Sequence, residues 1–244
     1  MKNISGNLSI PSLEEGVVIL VDKPLHWTSF DVVAKLRSVI KKTIKSRKYK
    51  VGHAGTLDPL ATGLLIVCTG RLTKSISTYQ DQEKEYTGII TLGATTPTFD
   101  REMDINATFP VEHITKEDLE MARQRLSGTI IQNVPIYSAV KVDGRRMYEL
   151  ARKGEEVRIK SREAEVHNFE LDDRDFPDIK FKISVSKGTY IRAIADDFGR
   201  LVNSGGYLSE LRRTRIGEFS VDDAWSLHAL VDAIQKLDQE NPQK

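Results

Sequence analysis

The stretch VGHAGTLDPLATGLLIVCTG, residues 51–70, constrains the chain more than any other. Asp58 sits between two glycine-bearing turns, with His53 five residues upstream and Pro59 directly after it. Gly52, Gly55 and Gly63 admit backbone geometries that other residues resist. Pro59 fixes its own φ and biases Asp58 away from a continuing helix. Leu64–Cys68 then reads as a short buried strand. The picture is a carboxylate on a stiff, tight loop entering a core strand. From local spacing alone Asp58 is a turn-capping carboxylate as readily as a catalytic one, and His53 as readily a plain loop residue.

A chain of 244 residues is long enough for one large domain or two small ones. An apolar fraction of 39% and a charged fraction of 29% describe an ordinary soluble globular protein. The single cysteine, Cys68, lies within LLIVC, where it reads as a buried thiol. No signal-peptide layout and no membrane-length apolar run is present, so the expected location is cytoplasmic, with no membrane partner.

The net charge of +1 hides a segregation. Between Asp31 and Asp58 there is no acidic residue, but Lys35, Arg37, Lys41, Lys42, Lys45, Arg47, Lys48 and Lys50 are all basic. Arg212, Arg213 and Arg215 form a second basic group, while Glu163, Glu165, Glu170, Asp172, Asp173 and Asp175 collect elsewhere. Charge runs are usually solvated faces. A basic segment leading straight into the Asp58 loop would also draw a polyanion to it.

In chain order, residues 1–15 read as a weakly structured lead-in and Val17–Val21 as a strand. Thr28 or Ser29 can cap a helix with Val32, Val33, Leu36, Val39 and Ile40 on its apolar face. A short helix with Leu72, Ile76 and Tyr79 follows Gly70, then a strand over Lys84–Leu92 and a loop over Gly93–Phe109. Thr115 and Asp118 resemble a capping box for a helix with Leu119, Ala122 and Leu126 inward. Further strands are expected at Ile130–Gln132, Ser138–Val142, Val157–Leu171, Ile179–Ser186 and Tyr207–Ile216. Helices are expected near Met147–Arg152, over Thr189–Val202 and from Ser226 onward. Without a steady βαβ repeat, the fold class is α+β, a mixed and mostly antiparallel central sheet flanked by helices.

The five histidines and the lone cysteine show no metal-ligand spacing, so no metal is expected. No phosphate-binding GxxxxGK[ST], dinucleotide-binding GxGxxG or GxSxG elbow appears. A lone carboxylate, aromatics and basic residues suit chemistry on an organic substrate with no cofactor.

GHAGTLDPLATGLL resembles the signature of the TruB family of tRNA pseudouridine synthases, and other blocks agree in order. VDKP with Thr28 and Ser29 resembles the family's opening motif, and KEYTGIITLG its tyrosine-bearing strand. VPIYSAVKVDGRRMYELARKGEEV resembles the central block, SKGTYIRAIADDFG the arginine-bearing motif, and LRRTRIGEF the last. The resemblance implies a pseudouridine synthase-like fold and an isomerase converting uridine 55 in the tRNA T-loop to pseudouridine.

Carried onto matching positions, it makes Asp58 the nucleophile, ionised at neutral pH from a reference pKa of about 3.9. Arg192 would pair with Asp58, and Tyr86 would stack on the flipped uracil and offer its phenol for proton transfer. The base must leave its stack first. His53 would occupy or contact the vacated space, Lys23 and Tyr190 would line the pocket, and Leu211 would supply an apolar wall.

Three departures stand out. His26 replaces a usual glycine, Val134 the first of two prolines, and Ala54 a common threonine; of these only His26 is placed to alter a contact near RNA. The expectation is a single catalytic domain over 1–244 with a short helical tail from about residue 225, no PUA domain, a monomer and no guide RNA. tRNA is the expected partner. The alternative is a non-catalytic RNA-binding or tRNA-chaperone protein of the same fold, which an inert residue at position 58 would have favoured.

Overall fold

The computed structural model describes residues 8–137, 141–142, 145–147 and 161–240. It is mixed α+β, as the irregular alternation of elements implies. The strands are β1 (Val18–Lys23), β2 (Val51–His53), β3 (Ala61–Thr69), β4 (Lys84–Leu92), β5 (Ala94–Thr95), β6 (Ala107–Thr108) and β7 (Gly128–Asn133). They continue with β8 (Lys141–Val142), β9 (Arg145–Arg146), β10 (Ser161–Asp175), β11 (Asp178–Val185), β12 (Gly206–Ile216), β13 (Phe219–Ser220) and β14 (Trp225–Ser226). The helices are α1 (Ile10–Glu15), α2 (Ser29–Thr43), α3 (Ile76–Gln80), α4 (Lys116–Arg125), α5 (Ile191–Leu201) and α6 (Leu227–Glu240). The expected strand over 138–142 and the helix near 147–152 lie outside the described residues, save Lys141–Val142 and Met147.

The chain divides into two compact units, one formed by residues 1–86 and 212–244, the other by 87–211. In the first, the strand order is β14-β1-β3-β12-β4, with β2 on β3 and β13 on β12. β1 and β3 are antiparallel, pairing Val18 with Cys68 and Lys23 with Gly63, while β14 joins β1 in parallel. Both faces of β1 and β3 are covered. Ile19, Val21, Leu65 and Val67 pack with α2 and α6, and Val18, Leu20, Leu64, Ile66 and Cys68 pack with Tyr79, Ile216 and Phe219. Burial on both sides is why LLIVC reads as an unbroken apolar run instead of an alternation. It also pushes the Cys68 thiol up to about 11, so the thiol stays protonated at neutral pH.

α2 begins where the sequence places it. Thr28 is the N-cap and Asp31 bonds back to it, which leaves Ser29 for another task. The lead-in is more ordered than expected: Ser9 caps α1, and the fully buried Leu13 anchors it.

In the second unit the order is β12-β4-β11-β10-β7, antiparallel where β10 meets β11 and β7. Phe169 packs edge-on against Phe181 and Phe198, at 6.2 Å between ring centroids in each pair. Glu163, Glu165 and Glu170 are exposed around buried Ala164, Val166 and Phe169 on β10, so that part of the acidic cluster is a solvated strand face. The expected loop over 93–109 contains the short β5–β6 ribbon.

Candidate active site

The loop between β2 and β3 carries Asp58 and is held at every turn. Leu57, buried, donates its N–H to Ser29 Oγ at 2.8 Å and accepts from that hydroxyl at 3.1 Å. Asp58 O accepts from Ala61 N at 3.0 Å, and Pro59 O accepts from His26 N at 2.8 Å. Arg213, on β12, donates from Nε to Leu64 O at 2.7 Å, from Nη2 to Gly55 O at 3.1 Å and from Nη1 to Thr56 O at 3.4 Å. Gly63 has φ +103°, and a Cβ there would meet Arg213 O at 2.3 Å, so only glycine fits. Asp58 itself is half-buried and not sealed in the core.

Lys23 ends β1 fully buried, with Nζ donating to Pro24 O at 2.9 Å and Trp27 O at 2.6 Å. Burial lowers its pKa to about 8; the Asp58 charge pulls it up and the Arg213 charge pushes it down. Lys23 and Asp58 are therefore electrostatic neighbours. His53, half-buried on β2, is held below the usual imidazole range first by burial and also by the Arg213 charge, against the opposing pull of the Gly55 backbone. It is neutral at pH 7, and its Nδ1 has no hydrogen-bond partner among the described residues. Tyr86 is buried on β4 and ends the first of the two segments that form the first unit; beside it Thr214 Oγ1 donates to Glu85 Oε1 at 2.9 Å.

The remaining expected site residues belong to the second unit. Tyr190 is the N-cap residue of α5. The side chain of fully buried Gln132 accepts from its N–H at 2.7 Å and donates to its carbonyl at 2.9 Å. The Arg162 guanidinium stands 4.3 Å over the Tyr190 ring. Arg192, buried, donates to Thr98 O at 3.0 Å and Tyr137 O at 3.1 Å, and its Nε lies 3.5 Å from Asp100 Oδ2. Leu211 is half-buried on β12.

Four further residues at these positions had no site role assigned from the sequence. Asp100 and Gln132 lie in stretches without a motif. Arg162 falls within an expected strand and Arg213 within the second basic group. The second basic group is accordingly corrected: Arg213 is buried against the loop, and Arg212 forms a bidentate pair with Asp22 at 2.8 and 3.0 Å. Arg215 alone of the three is exposed. In the first basic run Arg37 donates to Val51 O, while Lys35, Lys42, Lys45, Arg47, Lys48 and Lys50 are exposed. No helix among the described residues is long and apolar enough to cross a membrane.

Comparison with known proteins shows the family. The family described as TruB family pseudouridylate synthase (N terminal domain) matches residues 41–191, and the tRNA pseudouridylate synthase B C-terminal domain matches 192–244. The chain is 49% identical to tRNA pseudouridine synthase B of Phocaeicola vulgatus, over 94% of this chain and 97% of that one. It is 50% identical to the protein of that name from Flavobacterium johnsoniae, over 91% and 97%. Among solved structures, a chain of a Cbf5-Nop10-Gar1 complex superposes with a TM-score of 0.68 at 30% identity, covering 95% of this chain and 58% of its own length. The chain belongs to the TruB family of tRNA pseudouridine synthases, isomerases that convert uridine in tRNA to pseudouridine.

Proposed function

We propose that this enzyme acts on uridine 55 in the T-loop of tRNA, extracts the base from its stack and uses Asp58 as the nucleophile. The observation that carries the reading is a half-exposed carboxylate on a loop pinned by Ser29, His26 and Arg213, beside the buried Lys23. In the isomerisation the bond from uracil N1 to ribose C1′ breaks, and a bond from C5 to C1′ forms. The C5 proton leaves and N1 gains one, so atoms balance without a redox partner.

In this reading Arg192 pairs with Asp58 and holds it oriented. Tyr86 stacks on the extruded uracil and offers its phenol for proton transfer. His53 fills the space the base leaves, with Tyr190, Lys23 and Leu211 around the pocket. The exposed lysines from Lys35 to Lys50 grip phosphates nearby. The chain acts as a monomeric, cytoplasmic, single catalytic domain directly on tRNA, with no guide RNA.

Purified protein and a T-loop stem-loop carrying 5-tritiated uridine test this. Wild-type protein alone releases tritium and leaves a carbodiimide-reactive pseudouridine at the T-loop site. Asp58→Asn lowers the rate by on the order of 10⁴-fold or more while still binding the RNA. Tritium release by Asp58→Asn at the wild-type rate overturns the nucleophile assignment. RNA binding without release by the wild-type chain points instead to a tRNA chaperone.

A further inference from the structure

The loop bearing Asp58 has two arms, and one side chain touches both. Arg213 is 1% exposed. Its Nη2 and Nη1 reach Gly55 O and Thr56 O before Asp58, and its Nε reaches Leu64 O after it. Its backbone packs so closely on Gly63 that no side chain fits there. A planar guanidinium with separate nitrogens can span three carbonyls in fixed directions, whereas an ammonium offers one nitrogen. The same cation presses on its neighbours, opposing protonation of both Lys23 and His53. The Arg213 donors thus fix where the tip of the loop points, and its charge adds to burial in disfavouring the protonated imidazole beside it.

We infer that Arg213 is a positioning residue for the reaction, clamping the two arms of the loop so that the Asp58 carboxylate faces the reacting uridine. The inference rests on Asp58 being the nucleophile. Catalytic geometry is unforgiving: a misplacement of 1 Å costs about 10²-fold in rate.

Single-turnover tritium release separates positioning from stability. Loss of folded protein lowers the amplitude of the turnover, whereas a misdirected carboxylate lowers its rate constant. Arg213→Lys keeps a cation and loses the fork, so its rate constant falls about 10²-fold with RNA affinity within about 3-fold of wild type. Arg213→Gln, with the charge removed, also moves the His53 imidazole titration to higher pH, read from its ring nitrogen resonances. Where Arg213→Lys does not fold, Arg213→Ala refolded with methylguanidinium gives the same readout. A rate constant that rises with methylguanidinium supports the assignment, and a wild-type rate constant in whatever fraction folds overturns it. Asp58→Asn runs alongside. If it turns over at the wild-type rate, the nucleophile reading falls and takes this inference with it. If it is inactive while Arg213→Lys keeps a wild-type rate constant, the Arg213 inference alone falls.

Discussion

His26 holds φ +65°, a left-handed conformation that costs an ordinary L-residue roughly 1–2 kcal/mol relative to right-handed backbone. That strain accounts for the glycine usual at this position in the resembling motif. The turn is retained because the His26 N–H reaches Pro59 O, one residue past Asp58, while Ser29 holds Leu57, one residue before it. Glycine at 26 would relieve the strain but add freedom to the unfolded chain, and the two effects nearly cancel. His26→Gly is therefore expected to fall within about 0.5 kcal/mol of wild type in urea denaturation. His26→Val, branched at Cβ, is expected to lose about 1–2 kcal/mol. Equal stability of the Val and Gly variants would show that the turn is not held left-handed in solution.

At the scale of elements, the β2–β3 loop depends on how closely β12 approaches β3. Gly63→Ala combines a φ of +103° with a Cβ 2.3 Å from Arg213 O, an overlap that backbone must move to relieve. It is expected to cost on the order of 4 kcal/mol or more, a drop in melting temperature of about 10 °C or more. A melt within about 3 °C of wild type would mean that β12 sits further off. The elements that the sequence made legible are those whose signal is local. The T-x-x-D start and the apolar stripe placed α2, and the run Lys84–Leu92 coincided with β4 end to end. The Asp58 loop was legible through its motif. What holds it was not, because Arg213 follows Leu64 by 149 positions and its neighbours Arg212 and Arg215 made it look like surface charge. Asp100 beside Arg192 was hidden for the same reason, since a contact across 92 positions leaves no period to count. Tyr190 was expected as a pocket residue, yet Gln132, which holds its backbone, sits on a strand with nothing to mark it.

Across the whole molecule a net charge of +1 is produced by segregated groups, and two of them, the buried Lys23 and the half-buried Asp197, give the stability opposite dependences on pH. Burial and the neighbouring Asp196 charge raise Asp197 to about 6, from an ordinary 3.8, against the pull of Arg200. Between pH 4 and 6 the native chain keeps a proton that the unfolded chain has released. Asp197 thus supports the fold at acid pH, and that support is lost as pH rises through 6. Lys23, lowered from 10.5 to about 8, behaves conversely: above pH 8 the unfolded chain binds the proton that the native chain has lost, so stability rises with pH up to about 10.5. From pH 6 to 8 both groups are charged in the fold, and each costs stability. Asp197→Asn removes one cost. Allowing for solvent screening of a half-buried carboxylate, it is expected to be about 1–2 kcal/mol more stable than wild type at pH 7.5. The gap should be mostly closed by pH 4, where the native chain keeps Asp197 protonated and the unfolded chain has only partly released its proton. Urea denaturation of the two proteins at pH 4, 6 and 7.5 measures the gap directly. A gap that stays constant over that range would mean Asp197 does not titrate between 4 and 6 in the folded chain.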